Sequence, residues 1–424
     1  MNNHKTGIFT VLKNGNFLAL WLSQLVSKIG DNFAVIAALA LINELAQAAG
    51  IVTVILAAAM TLPQLFALAS GVFLDRFSRK VVMIATDLLR AGLILLPLLV
   101  QKPGHFYILY LTAFAVMGLG AMFVPARNAS IPNMVPEEHL LTANALIQAT
   151  ELASLIVGAG LATLVIGLTS PSTAFVIDSF TFLISALLLL AAHIPQGPKT
   201  GASAAPRGEF RRFWVDFVDG VRYIGSNKHL LQLMAITTMA TLGLSATVLM
   251  AAAFFKQLFD IDTAFLGLLQ VAEGTGMVLG AILISAYASW ARSRQIVSVT
   301  MIVLGAGILV FALAPVYWLV LIGALVVGLA VVSARTTLAA MTQALVPDSQ
   351  RGRVESAMVT VIGLGTMGAL VMAGILGDVI GPTSVFVFTG VVVLLAGVAS
   401  IFSLREAEEQ LLNGTSGYPS PPIE

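Results

Sequence analysis

The sequence predicts an all-α membrane protein of twelve transmembrane helices in two six-helix halves. Three observations carry that expectation. Of the 424 residues, 58% are hydrophobic and 10% charged, with a mean hydropathy of +0.95, whereas a soluble domain carries roughly a quarter charged residues. Twelve apolar runs each reach the ~20 residues that a helical span needs. Lysine and arginine then collect on one side of those runs, as they do on the cytoplasmic face of a membrane protein. No strand-like alternation suggests a barrel, and an unpaired backbone cannot cross hydrocarbon, so the runs are read as helices.

In chain order the first six runs fall at 17–43, 51–73, 81–101, 106–128, 140–168 and 172–193. The first is too long for the core of a cleavable signal peptide and is expected to remain as a span. Residues 1–193 thus form an N-terminal half. Between the second and third runs lies Gly71-Val-Phe-Leu-Asp75-Arg76-Phe-Ser-Arg79-Lys80, an acid and three bases within six residues. Such charges are tolerated at the water interface or when paired, so the segment reads as a cytoplasmic hairpin. Residues 194–228 form a cytoplasmic linker. Its Pro195–Pro206 stretch is rich in turn formers. The part that follows places Phe210, Phe213, Trp214, Phe217, Val218, Val221 and Ile224 at helical spacing, which predicts an amphipathic helix from Arg207 to Gly225 on the inner membrane surface. The second half, 229–405, holds runs at 229–255, 264–288, 295–313, 316–338, 353–376 and 383–404. The polar tail 406–424 is expected to be disordered.

Both termini are expected inside. Lys13, Arg76, Arg79, Lys80, Arg211, Arg212, Arg294, Arg351, Arg353 and Arg405 then lie in cytoplasmic segments, against Lys102 and Lys256 outside. The halves repeat weakly. The fourth run ends Pro125-Ala-Arg127 before Met134-Val-Pro136, and the tenth ends Ser333-Ala-Arg335 before Leu345-Val-Pro347.

Ionisable groups inside spans are functional candidates, because each costs roughly 2.5–3.5 kcal/mol at a helix centre. Asp31 sits midway along the first span, with Lys28 three residues earlier and within pairing reach. Glu273 holds a similar depth in the eighth span, beside Gly274 and Gly276. Glu151 in the fifth and Asp178 in the sixth complete the transport or coupling candidates. A structural bond is an alternative role for each. Arg127 and Arg335 stand at corresponding inner ends, as gating ion pairs or as side chains snorkelling to the interface.

The charged hairpin resembles the loop between the second and third helices of the major facilitator superfamily, Gly-x-x-x-Asp-Arg-x-Gly-Arg-Arg/Lys, with Ser78 at the second glycine. Further stretches are similar to the bacterial branch of macrolide-efflux and siderophore-exporter permeases. They are Leu22 to Asn32, Ala85-Thr-Asp-Leu-Leu-Arg90-Ala, Val135 to Leu146, Phe175-Val-Ile-Asp178 and Val346 to Val354. The Gly30-Asp31-Asn32 triplet also resembles lysophospholipid transporters of the same superfamily. The resemblance implies the major facilitator fold, a substrate path between the halves, and a gating role for Gly71, Asp75, Arg76, Arg79 and Lys80. In that pattern the acid approaches the start of the eleventh helix near Arg353, whose N-terminal amides attract a carboxylate. The chain departs from the drug-antiporter pattern in two places: Phe114 stands where an arginine is usual, and no proline accompanies Gly158-Ala-Gly160.

The implied function is secondary active transport. The reading is a proton-coupled exporter of a small amphipathic or hydrophobic compound by alternating access, with lipid transport or uncoupled facilitation as the alternative. The expected partners are a small-molecule substrate, a proton or cation, and the bilayer of a bacterial inner membrane. The chain is expected to act as a monomer, without nucleic acid, cofactor or metal. Absence of cysteine removes disulfides and thiolate sites. Absence of a phosphate loop disfavours a primary pump, and no hydrolase or zinc motif points to an enzyme.

Overall fold

The computed structural model describes residues 8–45, 49–65, 77–195, 206–242, 266–287, 293–347 and 350–413, and these are helical with short connections and no strand. The spanning helices of the first half are α1 (Gly15–Leu45), α2 (Ala49–Leu65), α3 (Arg79–Leu93), α4 (Phe106–Ser130), α5 (Leu140–Leu168) and α6 (Pro171–Ala191). The surface helix α7 covers Pro206–Ser226, and α8 covers 228–242. Then come α9 (Leu266–Tyr287), α10 (Ser293–Leu313), α11 (Tyr317–Leu345), α12 (Arg351–Ile380), α13 (Pro382–Ser403) and a short α14 (Arg405–Asn413). Ten helical segments among the described residues are long and apolar enough to span a bilayer. The second and seventh expected spans are α2 and α8 where they are described, so the twelve-helix fold stands.

Contacts divide the chain into two units, residues 1–211 with 251–274, and 212–250 with 275–424. The start of α9 is grouped with the first unit. A side chain at Gly267 would strike Thr163 and the Ala159 carbonyl on α5, and one at Gly274 would meet Ile156. Farther along α9, Gly276 and Gly280 press on the α11 backbone at Leu325 and Leu329. Small residues set these approaches.

In the first unit α1 packs on α5 and α6, α3 on α4 and α6, and α2 on α4. Phe33, Ile36, Phe175 and Phe182 anchor one buried cluster; Phe17, Leu20, Met83 and Ile131 anchor another. Polar caps fix the helix ends. Asn14 Oδ1 accepts from the amides of Asn16 and Phe17 at 3.1 and 3.2 Å, opening α1. Asn14 also donates to the Met134 carbonyl at 2.6 Å. The Asn16 side chain accepts from the His193 amide, beyond α6, at 2.8 Å.

In the second unit α10 lies against α11 and α13. Gly305 and Gly397 bring α10 and α13 backbone to backbone, and Phe311 stacks on Phe386 at 4.8 Å. Gly381, at φ +83°, turns α12 into α13, where Pro382 takes the first helical position. One side of α7 rests on α12. Phe217 and Ile224 pack toward Val354 and Met358 of α12, while Val215, Val218 and Val221 are exposed. The reason is Gly220, whose Cα rests on the Arg353 carbonyl, so the contact line runs through 217, 220 and 224. The tail expected to be disordered forms α14 as far as Asn413. Glu406 pairs with Lys228 at 2.9 Å and Glu408 with Arg294 at 3.2 Å, which fixes its acidic start.

Candidate functional site

A cluster of five ionisable groups occupies the middle of the first unit. Lys28 and Asp31 are one turn apart on α1, their Nζ and Oδ2 atoms 3.3 Å from each other. Asp87 and Arg90 repeat that spacing on α3 at 3.6 Å. The Arg90 guanidinium then crosses between helices, donating from Nη2 to Asp31 Oδ1 at 2.9 Å. Its Cζ lies 4.1 Å from the centre of the Phe182 ring on α6, a cation–π contact. Ser185, one turn beyond Phe182, donates to Asp87 Oδ2 at 2.6 Å. Asp178 brings a third carboxylate from α6; its Oδ1 accepts from Thr181 Oγ1 at 3.0 Å. Asp87, Arg90 and Asp178 are buried, whereas Asp31 and Lys28 are partly accessible.

The Gly30-Asp31-Asn32 triplet explains how the helices approach. Gly30 leaves room for Thr181 and Asp178, either of which would overlap a side chain there. Asn32 donates to the Ser154 carbonyl on α5 at 3.1 Å, opposite Gly158, where a Cβ would lie 2.9 Å from the Ile29 carbonyl. Three consecutive residues therefore serve α6, α3 and α5 in turn. A small cavity of ≈ 40 Å³ opens beside the cluster, lined by Asp31 and Asp178 together with Leu56, Met60, Met117 and Phe175. It is apolar apart from the acids and Thr112. No set of three or more acids or histidines suited to a metal is found among the described residues.

The other candidates fall elsewhere. Arg127 is buried near the C-terminal end of α4, with Nη1 3.0 Å from Gln24 Oε1 and 3.6 Å from Glu151 Oε1. Glu151 is thus the partner of Arg127 and stands apart from the Asp31 cluster. Arg335 is exposed, so the two arginines do not occupy equivalent surroundings. Gly71, Asp75 and Arg76 lie outside the described residues. The basic end of their hairpin caps helices: Arg79 donates to the Ala129 carbonyl at 2.6 Å, and Lys80 to Leu190 and Ala192 at 2.7 and 2.8 Å. Cations at helix C-termini are favoured by the exposed carbonyls. Arg353, at the start of α12, faces Asp219 of α7 at 3.9 Å. Glu273 is buried on α9 without a hydrogen bond or ion pair among the described residues. Arg90, Asp87, Thr181 and Ser185 were not singled out by the sequence reading; the detectable signal was the Asp87–Arg90 pair, three residues apart inside an apolar run.

Residues 6–424 match the family model described as transmembrane secretion effector, of the major facilitator superfamily. The chain belongs to this family. As a member of the transmembrane secretion effectors it is a transporter, and some of its relatives align with it over nearly its full length. Macrolide efflux protein A of Streptococcus pyogenes is 22% identical over 90% of this chain and 94% of its own. The multidrug efflux pump Tap of Mycolicibacterium fortuitum is 26% identical over 95% and 99%. Among solved structures, a bacterial homolog of the human lysosomal transporter Spinster superposes with a TM-score of 0.71 at 12% identity, covering 99% of this chain and all of that one. That likeness concerns the fold.

Proposed function

We propose that this transporter exports a small amphipathic or hydrophobic compound, of the drug, macrolide or siderophore-like class, in exchange for protons. The buried cluster carries the coupled part of the reading. Three carboxyl groups face two cations, so full ionisation leaves one negative charge uncompensated in an apolar setting, where an unpaired charge costs several kcal/mol. One proton balances it. A proton taken up outside and released inside then changes which partners Arg90 holds while substrate moves the other way by alternating access. The efflux activities named for the two full-length relatives support the outward direction. Glu273, buried alone on α9, is a second acid for the same cycle.

Purified protein in liposomes under an imposed pH gradient tests this. Uphill movement of a macrolide or dye that collapses with a protonophore supports coupling; a wild-type flux indifferent to the gradient refutes it. The membrane is the bacterial inner membrane, with both termini cytoplasmic. Single cysteines at Gly104, Thr169 and Gly381 should label from outside, and one at Ser78 should not. A lipid-transport reading is favoured by one observation. A groove of ≈ 220 Å³ in the second unit is lined by Met239, Leu370, Met372, Val385, Phe388 and neighbours, with Thr389 the one polar side chain among the described residues that line it. Lysophospholipid flux in the same liposomes distinguishes the two substrates.

A further inference from the structure

We infer that the exchangeable proton of the cluster resides on Asp178 Oδ2, with Asp31 and Asp87 remaining ionised. This rests on the proton-coupled reading and assigns the atom that carries the proton. The argument is an inventory of carboxylate oxygens. Asp31 meets Arg90 through Oδ1 at 2.9 Å and Lys28 through Oδ2 at 3.3 Å. Asp87 accepts from Ser185 at 2.6 Å on Oδ2; its Oδ1 also lacks a hydrogen bond but has the Arg90 guanidinium at 3.6 Å. Asp178 has the Thr181 hydroxyl on Oδ1, and its Oδ2 is buried without a hydrogen-bond partner. It is 1% exposed and lines the cavity beside Asp31. Among the three acids it alone lacks a cation at pairing distance.

Among the described residues, the helices around it bring no further cation to pairing distance. From α1 come Lys28 and Asp31; from α3, Asp87 and Arg90. The inner-end cations Arg79 and Lys80 are committed to helix carbonyls. On α5 the charged group is Glu151, paired with Arg127 of α4. α4 adds the phenols Tyr107 and Tyr110, and α2 carries no charged residue in 49–65. A protonated Asp178 makes the cluster neutral, with two cations facing two carboxylates. Loss of that proton to the cavity breaks the O–H bond and leaves a carboxylate that competes with Asp31 for Arg90. The tie between α1 and α3 then weakens, and the proton's departure is felt on the helix that bears Asp31. Gly30 keeps α6 close enough for this exchange.

Infrared difference spectroscopy on the full-length purified protein tests the assignment directly. A carbonyl stretching band of a protonated carboxyl should be present near neutral pH and bleach on alkalinisation. Asp178→Asn should abolish it. Asp178→Glu should shift its frequency, as should Thr181→Val, which removes the hydroxyl from Oδ1; these milder variants answer the question even if the asparagine variant does not accumulate. Asp31→Glu and Asp87→Glu should leave the frequency unchanged. A band that shifts in either of these and stays fixed in Asp178→Glu overturns the proposal. Loss of the band on adding sodium at constant pH also overturns it, by placing a metal cation in the seat. A band that behaves as expected in a protein whose flux ignores the pH gradient upholds Asp178 as the proton's seat and refutes antiport alone.

Discussion

Arg90→Gln removes the cation that ties α3 to α1 without removing much volume. The cost follows from what remains. Asp87 keeps Ser185 but loses its cation while buried; Asp31 is partly accessible and keeps Lys28. Most of the penalty therefore falls on Asp87. Breaking a buried pair from one side costs about 3–5 kcal/mol, and loss of the Phe182 ring contact adds about 0.5–2 kcal/mol. Because Asp31 is partly hydrated, a total of about 4 kcal/mol is expected, close to a thousandfold in the folding equilibrium. Denaturant unfolding of the solubilised protein reads this as a lower midpoint with an unchanged slope. Adding Asp87→Asn removes the stranded charge and should recover at least half of the loss, an interaction that a double-mutant cycle measures. If the single variant is as stable as wild type, or if Asp87→Asn makes it worse, the charge inventory given for the cluster is wrong.

Other perturbations test separate joints. Gly30→Ala places a methyl against Thr181 and Asp178 and should cost about 1–3 kcal/mol as overpacking, whereas Gly15→Ala, with open space around it, should be neutral by the same unfolding assay. Gly220→Leu should lift α7 from the Arg353 carbonyl and raise protease cleavage of the linker while the spans still insert; unchanged cleavage refutes the docking. The hydrogen bond from Lys228, and then its charge, hold Glu406 below the ordinary carboxylate value of 4.5. The stabilisation of α14 from this pair is thus fully present above that value and is lost as pH falls through the lowered one. A spin label on α14 should gain mobility only under acid, and Lys228→Ala should remove the dependence.

The Lys28–Asp31 pair was legible because both partners lie on one helix at a spacing that dictates contact. So were the spans and the extent of α7, which needed only hydropathy and periodicity. Arg90 was not assigned to Asp31, since a partner 59 residues away depends on which helices adjoin. Asp178 was read as a transport or coupling candidate with a structural bond as the alternative, because nothing in its own helix decides between them; its neighbours come through Gly30 on another. The contact of α7 with α12 was hidden for a related reason: Gly220 governs it through absence of a side chain and carries no hydropathy signal. Arg79 and Lys80 looked like parts of a gate from their motif, and the carbonyls they cap belong to helices 50 and 110 residues away.

The spacing of charges within each helix bears on how the nascent chain enters the bilayer. Lys28 and Asp31 are three residues apart on α1, and Asp87 and Arg90 three apart on α3. Each helix thus leaves the insertion machinery with its own counter-charge, sparing the full penalty of a lone ion in hydrocarbon. The bond between Arg90 and Asp31 joins segments 59 residues apart and adds to the pair that each helix already carries. Asp178 travels with only a hydroxyl at the same spacing, Thr181, and so crosses most cheaply as the neutral acid. The arrangement that serves the finished protein is also a loading order, with α1 and α3 waiting in self-neutralised form until α6 arrives to complete the set.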